Sequence, residues 1–177
     1  MALEKLGLWE KLVGEDSLPA WEAIPDFGLY MDQVITLMEQ YLSFLPDRGE
    51  RIVTSSAINN YVRLKIMPAP VKRKYYRVHL AYLMMILPMK QSVAILDIPR
   101  ILPPGTDEDA VRAAYEDYAR QFRKTAEFFR GQVTAVLQEL EGGAEGGVSR
   151  LALESVLISS FARILAEQLI PRPEGEE

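Results

Sequence analysis

The sequence predicts a mainly α-helical protein, and three observations predict it. Apolar residues return at every third or fourth position through most of the chain. No stretch alternates apolar and polar residues convincingly, and proline- or glycine-rich breaks separate the periodic runs. Across 177 residues, 49% of them hydrophobic, this pattern suits one ordinary core carrying appended helices, about six or seven in all.

Leu3, Leu6, Trp9, Leu12 and Val13 have helical spacing and predict a short amphipathic helix. Residues 14–25 read as a connection punctuated by Pro19 and Pro25, with Trp21 as a packing anchor. A stronger helix spans 29–45, with Val34, Leu37, Met38, Tyr41, Leu42 and Leu45 on its apolar stripe. Asp32 suits its positive end, and Pro46 closes it. Thr54 and Ser55 are N-cap residues for a helix reaching Leu64. Ala57, Ile58, Tyr61 and Val62 then share its inner face, while Ser56, Asn59, Asn60 and Arg63 lie outward. Pro68 and Pro70 stop that helix and hold VKRKYYR (residues 71–77) as a short arm or strand pair. An apolar helix follows from Arg77 through Leu80, Leu83, Met84, Ile86, Leu87 and Met89, and Pro88 must kink or end it. Asp97 is placed to cap a short turn over 98–102.

The PPG at 103–105 marks the main boundary. Thr106 with Asp109 resembles a capping box opening a long helix to about residue 141. Val111, Tyr115, Tyr118, Phe122, Ala126, Phe129, Val133, Val136 and Leu140 form its single stripe. GGAEGG (residues 142–147) is a turn, and Ser149 is placed to cap a last helix ending near Leu169. Apolar residues cover more than half the circumference of that helix, which predicts burial on more than one side. Three regions result: an N-terminal helix and linker (1–25), a central domain (26–103), and a helical module with a disordered tail (104–177).

Charge is divided unevenly. Residues 51–96 hold eight basic residues and no acid, against three basic and ten acidic in 1–50 and nine and fifteen in 97–177. A chain with net charge −5 and pI near 5.1 that keeps one segment purely basic carries a local footprint for a polyanion. With no cysteine there is no disulfide, thiolate nucleophile or cysteine-held metal. No run resembles a signal peptide or a membrane span, so a cytoplasmic location is expected. His79 is the sole histidine, at the start of an apolar helix, where a capping or packing role is the expectation. GGAEGG lacks the lysine and preceding strand of a phosphate loop, and no catalytic motif is present. No enzymatic activity, cofactor or metal is expected.

The candidate DNA-binding residues are Ser55, Ser56, Asn59, Asn60 and Arg63 on the helix, Lys65 after it, and Lys72, Arg73, Lys74, Tyr75 and Arg77 on the arm. Asparagine pairs bidentately with adenine, arginine with guanine or phosphate, and lysine with phosphate. An ordinary solvated face would show similar residues. Two adjacent asparagines, however, are poor helix formers, so helix stability does not account for them.

The run INNYVRLKIMPAP (residues 58–70) resembles the second helix and following loop of MerR-type DNA-binding domains. Tyr61 stands at the family's tyrosine, Ile66 and Met67 at its apolar pair, and Pro68 and Pro70 at its prolines. Tyr75 with Leu80, Leu83 and Ile86 resembles the opening of the third helix, and SVAILDIPRIL (residues 92–102) its short fourth. Residues 24–102 are also similar to an uncharacterised bacterial family, domain of unknown function eighteen thirty-six. The loop before the second helix is longer than in MerR domains, the wing is shorter, and Asn59 stands where most members carry arginine. The resemblance implies a winged helix-turn-helix that binds double-stranded DNA as a transcriptional regulator. It implies a homodimer built by the long helix and the C-terminal helix. A small-molecule effector between helices, against Tyr115, Tyr118, Phe122 and Phe129, is a third reading, while core packing is the expected role of that stripe. The competing expectation is a protein–protein interaction module on a degenerate helix-turn-helix fold.

Overall fold

The computed structural model describes residues 18–45, 51–102, 105, 107–141 and 146–171. It contains helices α1 (Met31–Tyr41), α2 (Ser55–Arg63), α3 (Arg77–Met89), α4 (Glu108–Glu141) and α5 (Gly147–Leu169). Short 3-10 turns stand at Trp21–Ala23 and Ile98–Arg100. No strand occurs among the described residues, so the mainly α class holds. The expected helix at 3–13 lies outside the described residues.

Every residue of α3 from His79 to Leu87 is buried. Such a helix has no solvent face and must be covered from all sides. It packs against α1 and α4, and α1 in turn packs against α2. Val34, Ile35 and Met38 turn inward from α1, Ile58 and Tyr61 from α2. Pro88 sits in the last turn of α3, one residue before its end, so it terminates the helix rather than kinking it.

The core crosses both of the expected regional boundaries. Leu18, Trp21 and Ile24 belong to it, as do Val111, Tyr115 and Ala119 from the first half of α4. The Trp21 and Tyr115 ring centroids stand 6.0 Å apart, and the Tyr115 hydroxyl donates to the Pro19 carbonyl at 2.7 Å. Phe44 meets Phe122 at 5.1 Å. Tyr115, Tyr118 and Phe122 of the α4 stripe are thus engaged in core packing. The core continues beyond the PPG sequence at 103–105, because α3 needs α4 as a cover.

The expected capping box of Thr106 with Asp109 lies partly outside the described residues; at the start of α4, Asp107 Oδ2 accepts from the Ala110 N–H at 3.2 Å. Two other expected helix starts are corrected. Gly146, with φ +87°, precedes α5, leaving Ser149 inside the first turn. Asp97 makes no side-chain cap and instead pairs with Arg100 at 2.7 Å. Beyond residue 122, α4 leaves the core and turns Ala126, Val133 and Val136 to a second, smaller contact with α5. The expectation that α5 is buried on more than one side fails within a single chain: Gly147 is its only buried residue.

Burial raises the pKa of Tyr61, Tyr82, Tyr115 and Tyr118. The folded state therefore keeps these protons to higher pH than the unfolded chain does. The resulting stability is complete below the ordinary tyrosine value of 10.0 and is lost as pH rises through the raised values. Tyr115→Phe keeps the ring but deletes the bond to Pro19. Urea melts at pH 7 should show a loss of about 1 kcal/mol, and the deficit should shrink at about pH 10.5 because the wild type alone is then penalised at this position. A deficit that grows with pH would contradict this account of Tyr115.

Candidate nucleic-acid interface

The outward face of α2 is set by its two ends. At the start, the Thr54 hydroxyl accepts from the Ala57 N–H at 3.2 Å, as its position before the apolar period predicts. At the finish, the Ile66 N–H reaches the Tyr61 carbonyl at 2.9 Å and the Lys65 N–H reaches Val62 at 3.0 Å. This is the Schellman arrangement, with buried Ile66 and Tyr61 as its apolar partners and Lys65 at the left-handed position, φ +58°.

The arm is a tight turn in which Val71 and Lys74 exchange both backbone hydrogen bonds at 3.0 Å. Lys72 and Arg73 occupy its two central positions, with φ +50° and +65°. Turns of this kind favour Asn-Gly, because both central residues need positive φ. The arm is docked onto the strand-like residue ahead of α1: Tyr75 and Leu29 pair through bonds of 2.9 and 2.8 Å. Gly28 permits that approach, since a Cβ there would lie 2.8 Å from Lys74 Cδ and 3.0 Å from the Tyr76 ring.

His79 holds the base of the arm. Its Nδ1 accepts from the Tyr76 N–H at 3.0 Å, and Nε2 lies 3.0 Å from the Ala69 carbonyl. A neutral ring with its proton on Nε2 satisfies both partners. The expected structural role for this histidine agrees with its burial.

These contacts bring part of the expected site together. Ser55 and Asn59 on α2 face Lys72 and Arg73 on the arm across an open groove of about 790 Å³. Tyr30 and Asp32 at the start of α1 line the same groove. No sequence spacing pointed to those two residues, because the Leu29–Tyr75 pairing alone places them beside the arm. Asp32 lies in the first turn of α1, where the helix dipole favours a carboxylate. Lys74 stretches its stem over Gly28 and sets its ammonium 5.4 Å from the Tyr30 ring centroid.

The remaining expected residues separate. Ser56 is exposed on α2 outside the groove. One turn on, Arg63 donates to the Asn60 side chain at 2.6 Å. Lys65 lines a different, largely apolar cavity of about 590 Å³ with Ile66, Met67 and Pro68. Tyr75 lines the groove as well, though it is only 3% exposed and packs its ring edge-on to His79 at 5.6 Å. One residue leaves the candidate surface. Arg77 donates to the Ile24 carbonyl at 2.9 Å, lies 5.7 Å from the Trp21 ring and pairs with Asp26 at 3.8 Å, so it fastens the N-terminal segment to α3. Lys90, counted in the basic segment, is likewise drawn inward. Its ammonium reaches the Ile52 carbonyl and the Tyr61 hydroxyl, and burial lowers its pKa.

No helix among the described residues is long and apolar enough to cross a membrane. Neither the curated proteins nor the solved structures compared with this chain contain a significant match. The profile of one family does match, over residues 19–119, and these limits lie close to the first described core residue, Leu18, and to Ala119, the last fully buried core residue of α4. The chain belongs to the family described as Domain of unknown function (DUF1836).

Proposed function

We propose that this protein is a DNA-binding transcriptional regulator with a MerR-like helix-turn-helix. In this reading the outer face of α2 meets base edges, and the cations of the arm grip phosphates. One observation carries it: among the described residues, the non-glycine residues with positive φ are Lys65, Lys72 and Arg73. Glycine or asparagine would occupy these positions with less strain. Left-handed backbone in other residues costs on the order of 1 kcal/mol or more each. Cations kept at all three, each exposed, indicate that their charge has a use which offsets the strain. Ser55 and Asn59 share a groove with two of them, so a neutral reading face adjoins a cationic grip.

A homodimer formed through the α4–α5 hairpin completes the proposal, since paired sites on duplex DNA match a twofold protein. The location that fits this function is the cytoplasm.

Fluorescence anisotropy on specific and scrambled duplexes across a salt series tests the grip. Replacing Lys72 and Arg73 by Ala should weaken binding to both duplexes and lower the salt slope by about two units, one per lost phosphate contact. Adding Lys74→Ala should lower it less, because Lys74 is partly engaged with Tyr30. Unchanged binding to both duplexes would leave the protein–protein interaction module as the better reading.

Asn59→Ala should behave differently, costing about 1 to 3 kcal/mol on the preferred site while leaving the salt slope intact. An equal loss on scrambled DNA would remove Asn59 from the reading face. Lys72→Asn combined with Arg73→Gly should stabilise the fold by about 1 kcal/mol in urea melts while binding falls. Stability gained with no loss of binding would show that the strained cations serve some other purpose.

A further inference from the structure

Helix α5 turns Gly147, Leu151, Ser155 and Ala166 inward and leaves most of its large side chains outside. Gly147 is buried against α4, where an added Cβ would lie 3.2 Å from Val136 Cγ1. Ser155 and Ala166 on the same side are half-buried. From Leu153 to Leu169, by contrast, eight large apolar side chains are 39–71% exposed, Phe161 at 70% among them. Together they offer apolar surface on the order of the roughly 800 Å² that each partner contributes to a stable interface. Isolated apolar residues on a surface need no explanation, but a contiguous face of this size marks an interaction site.

The charges on α5 indicate what covers it. Gly147–Leu169 contains four charged residues: Arg150, Glu154, Arg163 and Glu167. Arg150 and Glu167 lie equally far from the midpoint between Ile158 and Ser159, on opposite sides, and so do Glu154 and Arg163. Reversal about that midpoint therefore exchanges every positive residue for a negative one. A second α5 running antiparallel would set Arg150 level with the partner's Glu167 and Glu154 level with the partner's Arg163. A parallel copy would set like charges level at all four positions. The same reversal aligns Leu153 with the partner's Ile164 and Val156 with the partner's Phe161. The existing pairs, Arg163 with Glu167 at 2.9 Å and Arg150 with Glu139, are exposed, so they leave these side chains free to be shared.

We propose that α5 is the seam of an antiparallel homodimer whose twofold axis passes between Ile158 and Ser159 of the two copies. The interface is isologous, each copy presenting the same face to the other. This deepens the self-association proposed above by assigning its helix, direction and register, and it is independent of DNA binding.

The full chain contains no cysteine, so introduced thiols report cleanly. Sedimentation at micromolar concentration should show a dimer, and Phe161→Glu on the exposed face should give a monomer with unchanged helical circular dichroism. A short thiol-reactive cross-linker should join Leu153→Cys to Ile164→Cys when the two variants are mixed. Each variant alone should link poorly, because two copies of the same residue then stand about 16 Å apart along the axis at 1.5 Å per residue. Ser160→Cys, close to the axis, should link to itself. A monomeric wild type overturns the proposal, as does efficient self-linking of Leu153→Cys and Ile164→Cys without mixed product. A dimer with the expected cross-links that fails to bind duplex DNA upholds the seam and defeats the regulator reading alone. A monomer that binds DNA does the reverse.

Discussion

Everything else in this structure depends on the complete burial of α3. A helix with leucine, methionine, isoleucine and tyrosine around its circumference has no stable position at a surface, and each of its sides requires a cover. That demand recruits α1, brings the start of α4 back across the proline-rich break, and fastens the segment around Trp21 through Tyr115 and Arg77. The match of the family profile to residues 19–119 describes the same unit: α3 with its covers. His79, the only buried polar residue among those described, can be tolerated in such a core because both ring nitrogens have backbone partners.

The satisfied histidine also connects the core to the surface. Through Tyr76 and Ala69 it fixes both ends of the segment that carries Lys72 and Arg73, so a strained turn is held by a rigid base. Strain of this kind persists only where the surroundings determine it. Here those surroundings are the Leu29–Tyr75 pairing, the close approach at Gly28 and the proline-bounded loop before the arm. The basic segment then divides by burial. Arg77 and Lys90 spend their charge on carbonyls and rings of the core, whereas Lys65, Lys72 and Arg73 face solvent.

The chain is packed to two different standards. Around α3 the side chains are enclosed on every side. Along the outer half of α4 and all of α5, two helices touch through Ala126, Val133, Val136 and Gly147 and leave most of the large residues of α5 exposed. A two-helix contact of this sort buries little apolar surface, so the stability of that hairpin depends on continuity with the core through α4 and on whatever covers α5.

Local signals by themselves determined the helices, the cap at Thr54, the stop near Pro88, and the separation of a basic segment from acidic flanks. Each of these follows from periodicity, hydrogen-bonding groups or charge within a few residues. They also singled out Ser55, Asn59, Lys72 and Arg73, which share one groove. Tertiary structure alone decided that Tyr75 and Arg77 face inward, that Tyr30 and Asp32 join the groove, and that the core ignores the break at 103–105. The inward turn of Tyr75 follows from a pairing across 46 positions with Leu29, and that of Arg77 from a carbonyl 53 residues away. Composition fixed how much apolar surface α5 carries, while the fold left most of that surface outside: one helix can cover only one side of another, and α4 covers the side that carries Gly147, Leu151 and Ser155.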